Sequence, residues 1–405
     1  MIVPRTIQLI TNAYVAVAAD SPDGLALASE ALRAARVQRS EHWIRVARLL
    51  KSYCSTGAEF SSAVASLSDA PWNVTFVADL VGRRLDDLRD DASAVVADAA
   101  MLHPGRWRFV LRDLVASAGT GARLSSARLL ETIGDRSDIQ RLRTYARRQR
   151  RLAGASSLGR RLARALADGV FVEDLNRVSV NVGMRQVSGS AIRRKVLALV
   201  CLLLTKPDMA CTRDQVLDAL WPDLDPVDAV NSLNQTVYFL RRVFEENYVD
   251  DLSPGYLHHD SDLIWLDRDL VRSRSNECRR LIKTLPVMPT PTHVLILVEQ
   301  YTGRFALDFE YEEWAAPYRD WLHAAFLEVV ERAVAGDIET GHFDRGINLA
   351  RRVLDVDPSA EQVEVSLLRL YKASGAHLAA AEQYGHYAGF IRDHLGIEPP
   401  PLDLL

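Results

Sequence analysis

The chain has 405 residues, of which 48% are hydrophobic and 25% are charged, and its formal net charge is −4. This length predicts two to four domains, and the hydrophobic share is sufficient for several packed cores. The chain lacks an apolar run of about 18 residues, and its first residues lack the basic start and long apolar core of an export signal. We therefore expect a cytoplasmic protein that has no membrane partner.

The N-terminal part, residues 1–165, is rich in Ala, Leu and Arg, has helical periodicity and contains few strand signals. It predicts a helical, repeat-like domain of unknown role. From Arg141 to Arg164 there are nine arginines and no acidic residue. A basic helix of this kind can lie along a DNA backbone. A solvated linker helix, or contact with the acidic C-terminal part, is the competing interpretation.

A strand-rich segment follows. Residues 170–187 alternate apolar and polar side chains with a break near Gly183, which predicts short strands. The next run, AIRRKVLALVCLLLTK, is apolar on nearly every side and predicts a buried helix. Its basic start, Arg193, Arg194 and Lys195, is a candidate for phosphate contact, with ordinary surface charge as the alternative.

Two helices with a short turn are predicted next. Thr212 with Gln215 three residues later has the spacing of a capping box, and Pro222 ends this first helix. The second helix is predicted over residues 226–245. Its apolar side chains recur at steps of three and four and form one buried stripe, namely Val230, Leu233, Val237, Leu240 and Phe244.

The opposite face of the second helix is polar and suits contact with DNA. The candidates for contact with base edges are Asn231, Ser232, Gln235 and Tyr238. Asn and Gln side chains can make paired hydrogen bonds to adenine, and Arg can bind guanine or phosphate. We assign Arg242, Arg213 and Thr212 to the phosphate backbone. A solvated amphipathic helix is the alternative for this face.

A hairpin is predicted directly after this helix. Pro254-Gly255 marks a turn, and residues 256–258 and 263–266 have strand composition, with a four-residue turn between them. We expect a wing beside the helix, with His258 and His259 as candidates for DNA contact. These histidines and the neighbouring aspartates do not predict a metal site, because adjacent residues of a strand point to opposite faces.

These segments resemble a known family. The runs RKVLALV, TRDQVLDALWP, NSLNQTVYFLRRVF and PGY are similar to the DNA-binding domain of the bacterial transcriptional activators that include the antibiotic regulatory proteins. The resemblance implies a winged-helix domain over residues 170–285 and a bacterial transcriptional activation domain over 287–402. It further implies an activator that binds direct promoter repeats and contacts RNA polymerase. A homodimer on direct repeats is a separate expectation, because it would fit the small net charge of the DNA-binding segment.

The C-terminal part is consistent with this resemblance. Gly341 and Gly375 lie 34 residues apart, and each stands between two helical patterns. This is the period of a tetratricopeptide repeat, which consists of two helices. The predicted fold is therefore mainly α, with an N-terminal helical array, a winged helix with short strands, and a C-terminal tetratricopeptide-like bundle.

Charge and composition leave an alternative function open. Residues 170–286 contain 15 basic and 17 acidic residues, whereas 1–169 contain 25 and 17, and 287–405 contain 9 and 19. A nearly neutral DNA-binding domain is unusual, because phosphate neutralisation normally dominates affinity for DNA. The alternative is an interaction scaffold or signalling adaptor whose winged helix binds protein. Phe239 departs from the family pattern and is a candidate for contact with another protomer or with polymerase.

Enzymatic function is not expected. Residues 154–161, GASSLGRR, have the glycine spacing of a phosphate-binding loop but lack its lysine and hydroxyl residue. The four cysteines, Cys54, Cys201, Cys211 and Cys278, form no CxxC motif, and we expect them to be buried, reduced thiols. We expect no catalytic residues, cofactor or metal.

Overall fold

The computed structural model describes residues 5–67, 69–117, 123–149, 154–286 and 291–404. The chain is mainly helical with two small sheets, which confirms the predicted fold class. It divides into two compact units: unit 1 contains residues 1–167 and 249–254, and unit 2 contains 168–248 and 255–405. Among the described helices, none has the length and apolar character that crossing a membrane requires.

Unit 1 is a succession of helices that pack on their neighbours or next neighbours along the chain. Its largest fully buried side chains include Phe60, Leu80, Trp107 and Leu111. The helices are α1 (Arg5–Ala18), α2 (Gly24–Val37), α3 (Glu41–Tyr53), α4 (Gly57–Ala65), α5 (Thr75–Arg83), α6 (Asp90–Leu102), α7 (Pro104–Ala116), α8 (Arg123–Ile133), α9 (Arg136–Arg148) and α10 (Arg160–Ala165).

The basic segment at the end of unit 1 contacts an acidic residue in the same unit. Arg143 Nη2 lies 2.6 Å from Asp251 Oδ1, and Arg147 Nη2 lies 2.5 Å from Asp251 Oδ2. Hydrogen bonds from Arg143 and then Arg147 hold the pKa of Asp251 below its usual range. Two of the nine arginines thus share one carboxylate within the fold, whereas Arg150 and Arg151 lie outside the described residues.

Unit 2 begins with the predicted strands. Its strands are β1 (Val170–Glu173), β2 (Ser179–Val182), β3 (Arg185–Ser188), β4 (Ala210–Thr212), β5 (Leu257–His259), β6 (Leu263–Leu266) and β7 (Val271–Ser273). Its helices are α11 (Arg194–Thr205), α12 (Arg213–Leu220), α13 (Pro226–Phe244), α14 (Arg274–Thr284), α15 (Pro291–Gln300), α16 (Ala316–Glu339), α17 (Phe343–Val356), α18 (Glu361–Ala373) and α19 (His377–Leu395).

The strands form two sheets. The first has the order β3-β2-β1-β7, with β1 and β7 parallel and the other pairs antiparallel. The second is antiparallel with the order β4-β6-β5. Sequence analysis anticipated β1, β2, β3, β5 and β6 but not β4 or β7. Each of these two has only three residues, too few for an alternation to be recognised, and neither has the predicted turn and hairpin that marked the equally short β5.

The C-terminal helices form two pairs, α16 with α17 and α18 with α19. Gly341 joins the first pair with φ 74°, and Gly375 joins the second with φ 75°. The left-handed backbone at these two turns favours glycine, because a Cβ atom is strained there. The tetratricopeptide-like arrangement predicted from the 34-residue spacing is confirmed.

The segment before α16 adds backbone hydrogen bonds to the segment after β1. The amide of Ala306 donates to the carbonyl oxygen of Asp174 at 2.8 Å, and the amide of Asn176 donates to that of Arg304 at 2.7 Å. Arg319 on α16 is only 6% exposed. It donates to the carbonyl oxygens of Phe305, Phe309 and Glu310. Residues that are distant in sequence thus form one hydrogen-bonded layer.

A buried carboxylate anchors the start of α14 in this layer. Asp174 has no exposed surface, and it accepts hydrogen bonds from the amide of Ser275 at 2.7 Å and from its hydroxyl at 2.6 Å. Burial raises the pKa of Asp174 to about 6, although the bonds from Ser275 oppose that shift. Because an ionised carboxylate is costly to bury without partners, these bonds offset part of that cost near neutral pH.

The cysteines are all free, and three of them are buried as predicted. Cys54 corrects the prediction, because it is exposed directly after the C-terminal end of α3. Burial raises the pKa of Cys278 to about 12, so its thiol stays protonated at neutral pH. In the described parts of the chain, no group of three His, Cys, Asp or Glu side chains could hold a metal ion.

Candidate nucleic-acid interface

The first helix of the pair, α12, has the predicted capping box. Thr212 Oγ1 accepts from the amide of Gln215 at 3.2 Å, and the amide of Thr212 donates to Gln215 Oε1 at 3.0 Å. The two bonds satisfy amides that a helix start leaves without partners. Leu220 ends the helix two residues before Pro222. The cap therefore fixes where α12 begins, beside the second sheet.

The second helix, α13, begins at Pro226 after an Asp225 cap whose Oδ1 accepts from the amide of Val227 at 3.0 Å. Its 19 residues span roughly 28 Å at about 1.5 Å per residue. One side is buried, comprising Ala229, Leu233, Thr236, Val237, Leu240 and Phe244. This is the predicted apolar stripe, except that Val230 is only half-buried.

The opposite side of α13 is open to solvent. Asn231, Gln235, Tyr238 and Arg242 are exposed, and Ser232 is half-buried. The backbone carbonyl of Ser232 accepts from the hydroxyl of Thr236, as expected inside a helix. We call the five exposed side chains Asn231, Asn234, Gln235, Tyr238 and Arg242 the α13 face.

Asn234 lies on this face as well, although it was not among the predicted contact residues. This residue is exposed and follows Asn231 by three positions, so at about 100° per residue it lies roughly 60° from Asn231 around the helix. The helical spacing alone would have predicted that Asn234 lies on the exposed face. With Asn234 included, the α13 face carries three amide side chains within one and a half turns.

Phe239 borders the α13 face and is covered by a cation. The guanidinium of Arg193 lies 3.7 Å from the centroid of its ring, which is the geometry of a cation–π contact. Tyr238 packs edge-on against the same ring at 5.5 Å. Phe239 is therefore half-buried within its own domain, and it brings Arg193 to the edge of the exposed helix.

The other two basic residues at the start of α11 bond inside the chain. Arg194 Nη2 lies 2.9 Å from Glu312 Oε1. Lys195 donates through Nζ to the carbonyl oxygen of Leu220, where α12 ends. That carbonyl is one of those that a helix end leaves without an intrahelical partner. The three consecutive cations predicted to act alike therefore have three different environments.

The hairpin β5–β6 is closed by a side-chain turn and extended by a third strand. Asp260 Oδ1 accepts from the amides of Asp262 and Leu263 at 2.8 and 2.7 Å. Strand β4 pairs with β6 and sets Thr212 opposite Leu263. Because β4 leads directly into α12, this pairing positions the start of α12 next to the wing.

The wing and α12 bring two predicted residues together. Arg213 Nη1 lies 2.5 Å from His259 Nε2. Burial and then the charge of Arg213 lower the pKa of His259, which favours a neutral ring that accepts this bond. His258 is separate: it stacks on Trp265 with centroids 5.0 Å apart, and its Nε2 lies 3.7 Å from Asp267 Oδ2.

The charges of α13 are divided along its length. Asp223, Asp225 and Asp228 lie exposed around its first turn, and Arg241 and Arg242 lie in its last turn. This distribution complements the helix dipole, which favours anions at the amino end and cations at the carboxyl end. Part of the acidic charge that makes this domain nearly neutral therefore serves to start the helix.

Comparison with known proteins identifies one domain. Residues 298–402 match the family model described as bacterial transcriptional activator domain. Among solved structures the chain is similar to the Mycobacterium tuberculosis protein EmbR in complex with a low affinity phosphopeptide, with 16% identity and a TM-score of 0.44. The similarity covers 58% of this chain and 63% of that one, which is less than two thirds of its length. No curated protein matches the sequence.

Proposed function

We propose that the chain is a regulator of the bacterial transcriptional activator family, which binds DNA sequence-specifically and activates transcription. Its residues 298–402 match the activator domain of that family. The observation that carries this proposal is the α13 face, which is polar, exposed and flanked by a three-stranded wing. A single helix of this kind fits the major groove of DNA.

In the proposed complex, the amides of the α13 face read base edges. Asn231, Asn234 and Gln235 can each make paired hydrogen bonds to adenine, which presents an acceptor and a donor side by side in the major groove. Tyr238 and Ser232 lie on the same side or at its edge and supply hydroxyl groups. Neutral amides suit this role because they carry sequence information without attracting every phosphate.

The phosphate contacts are assigned to cations that the fold leaves near the α13 face. Arg242 is exposed on it, and Arg193 borders it over Phe239. Thr212 and Arg213 start α12, where the helix dipole favours an anion. His259 supports Arg213 from the wing. Because Arg194 and Lys195 bond within the chain and His258 stacks on Trp265, our proposal gives these three residues no DNA contact.

The proposal includes two partners besides DNA. Because the winged-helix segment is nearly neutral, one copy is expected to bind weakly, and a homodimer on direct repeats would double the contacts. RNA polymerase is the proposed target of the activator domain, helices α16 to α19. The proposed function requires a cytoplasmic location, because bacterial promoter DNA and RNA polymerase are found there.

The test is selection of bound fragments from random duplex DNA, followed by affinity measurements on the selected site and on a scrambled duplex at several salt concentrations. We expect one enriched motif with repeated half-sites and an affinity that falls steeply with salt. Selection of no motif, together with salt-independent binding, would contradict the proposal. The near-neutral charge would then favour the interaction scaffold as the function of this chain.

A further inference from the structure

A cavity of about 580 Å³ lies on the winged-helix part of unit 2, in elements that the proposed DNA contacts do not use. It is formed by the α11–β4 loop, the β6–β7 loop, strand β7 and helix α14. Its lining includes five cationic side chains, Arg268, Arg272, Arg279, Arg280 and Lys283, against one carboxylate, Glu277. This collects a third of the 15 basic residues of segment 170–286, which also holds 17 acidic ones.

The cationic side chains of the cavity differ in whether they already have bonding partners within the fold. Arg268 pairs with Asp208, and Arg272 Nη2 lies 3.3 Å from Glu277 Oε1. Arg279 is 9% exposed and donates to the carbonyl oxygens at the end of α11, so it serves the fold. These three cations therefore have partners already.

Arg280 and Lys283 are different. Both are exposed and lie three positions apart on α14, so they share one side of the helix. Within the described part of the chain, the side chain of neither residue has a hydrogen-bond or ionic partner. Two like charges at this spacing repel each other, and an anion between them removes that cost.

The floor of the cavity is apolar. Met209 is 7% exposed and Val271 is 1% exposed, and Pro207 completes this surface. Met209 has φ 50°, which is uncommon for a residue with a side chain. Its carbonyl accepts from the amide of Leu266 at 3.0 Å, which keeps this segment against the second sheet. The floor is therefore built into the domain.

We propose that this cavity binds an amphipathic organic anion, with a carboxylate or phosphate head held by Arg280 and Lys283 and an apolar body on Pro207, Met209 and Val271. The volume lies within the range of about 300–1,000 Å³ that small-molecule sites occupy. A simple inorganic anion would leave the apolar floor exposed to water, and a neutral apolar molecule would leave Arg280 and Lys283 without an anionic partner. The ligand would stabilise the folded chain by mass action.

The cavity is lined by a helix that also contacts other parts of unit 2, so a bound ligand can affect those parts. Helix α14 supplies six of its lining positions and packs against β7, α15 and α16. It is thus shared by the winged helix and the activator domain within unit 2. The binding proposal itself does not depend on DNA binding and can fail or succeed separately.

The test uses the full chain labelled with ¹³C at its methionine methyl groups. Octanoate and octyl phosphate serve as probes, with octanol as the uncharged body and pyrophosphate as the bare head group. We expect octanoate, octyl phosphate or both to shift the Met209 signal saturably, and the preferred one identifies the head group. The signals of Met101 and Met184, which are exposed in other elements, should stay unchanged.

The variant Arg280→Glu/Lys283→Glu should weaken binding at least about tenfold, because two charge-assisted bonds become repulsive. The matched control is Arg33→Glu/Arg36→Glu, which makes the same charge change at two exposed positions of α2 and should bind as the unmodified chain does. The conservative variant Arg280→Lys/Lys283→Arg should retain binding. Melting curves establish that each variant is folded.

Several outcomes would overturn the inference. One is a shift of Met209 by octanol as large as that by octanoate, which would show that charge is not recognised. Another is pyrophosphate binding as tightly as octyl phosphate, which would mean that the apolar floor contributes nothing. Displacement of the probe by duplex DNA would assign the cations to the DNA surface. Unchanged binding by the Arg280→Glu/Lys283→Glu variant would exclude the site.

Discussion

Two regions of unit 2 are rich in polar side chains and differ in exposure. The layer around Asp174, Ser275 and Arg319 is buried, and its hydrogen bonds join β1, α14 and α16. On the α13 face, Gln235 and Arg242 are exposed instead. Buried polar groups must satisfy one another, so they specify one arrangement of the chain. Exposed polar groups stay available to a ligand.

This comparison separates two kinds of experiment. Substitutions in the buried layer should change the free energy of unfolding, whereas substitutions on the α13 face or beside it should change DNA binding and leave stability nearly constant. Five predictions test that separation, from the largest expected effect to the smallest.

Arg319→Met should have the largest effect on stability. It leaves three carbonyl oxygens of the buried layer without their donor, and we expect the free energy of unfolding to fall by roughly 3 kcal/mol or more. Urea titration followed by circular dichroism measures it. The matched control, Arg352→Met, removes an arginine that is 55% exposed and should change stability by less than about 0.5 kcal/mol. Equal losses in both variants would contradict the comparison.

Asp174→Asn should change how stability depends on pH. The folded pKa of Asp174 is raised from 3.8 to about 6, so the folded state holds its proton more tightly than the unfolded state does. Its contribution to stability is therefore complete below about pH 4 and is lost as pH rises through about 6, by roughly 2–3 kcal/mol. The stability of the unmodified chain relative to this variant should decline over that interval. Parallel pH curves for the two would reject the assignment.

Gln235→Ala should reduce discrimination between the selected site and scrambled DNA by about 1–3 kcal/mol, since a bidentate base contact is removed. Fluorescence anisotropy with both duplexes measures the difference. Stability should stay within about 0.5 kcal/mol, because the side chain is exposed. Gln38→Ala, at an exposed position of unit 1, is the control that should bind as the unmodified chain does. Equal loss on both duplexes would assign Gln235 to the DNA backbone instead.

Arg213→Ala should weaken binding to every sequence by a similar factor. One phosphate contact fewer reduces the slope of log affinity against log salt by about 1. The same anisotropy titrations, repeated at several salt concentrations, measure the slope. A loss confined to the selected site would mean that Arg213 contacts a base.

Arg194→Ala should have the smallest effect on both quantities. Its guanidinium is paired with Glu312 at an exposed position, and such pairs contribute about 0–1 kcal/mol. DNA affinity should stay unchanged, in contrast to Arg213→Ala. A salt slope reduced as much as that of the Arg213 variant would return Arg194 to the phosphate contacts.

Much of the fold follows from local patterns. The capping box at Thr212, the stripe of α13 and the 34-residue glycine spacing each predict their structure, because each depends on residues close in sequence. Strand β7 was not predictable: its pairing with β1 joins residues about a hundred positions apart, and its three residues carry no period. The same limit applies to β4.

The candidate site residues also fall into two groups: those that local periodicity predicts and those that depend on partners distant in sequence. The exposure of Asn231, Gln235 and Arg242 agrees with helical periodicity, and Asn234 could have been found by the same rule. Helical periodicity could not predict the separate environments of Arg193, Arg194 and Lys195. Their partners come from three other segments, namely Phe239, Glu312 and Leu220.

The sequence by itself determined the helical class, the turns of the winged helix and the family of the C-terminal domain, because periodicity, capping and glycine position act within a few residues. Only the tertiary structure decided which cationic side chains have bonding partners within the chain and which have none. Arg143, Arg279 and Arg319 serve the fold, whereas Arg280 and Lys283 face an open cavity. Charge can be counted in a sequence, but its availability depends on partners that folding brings from elsewhere in the chain.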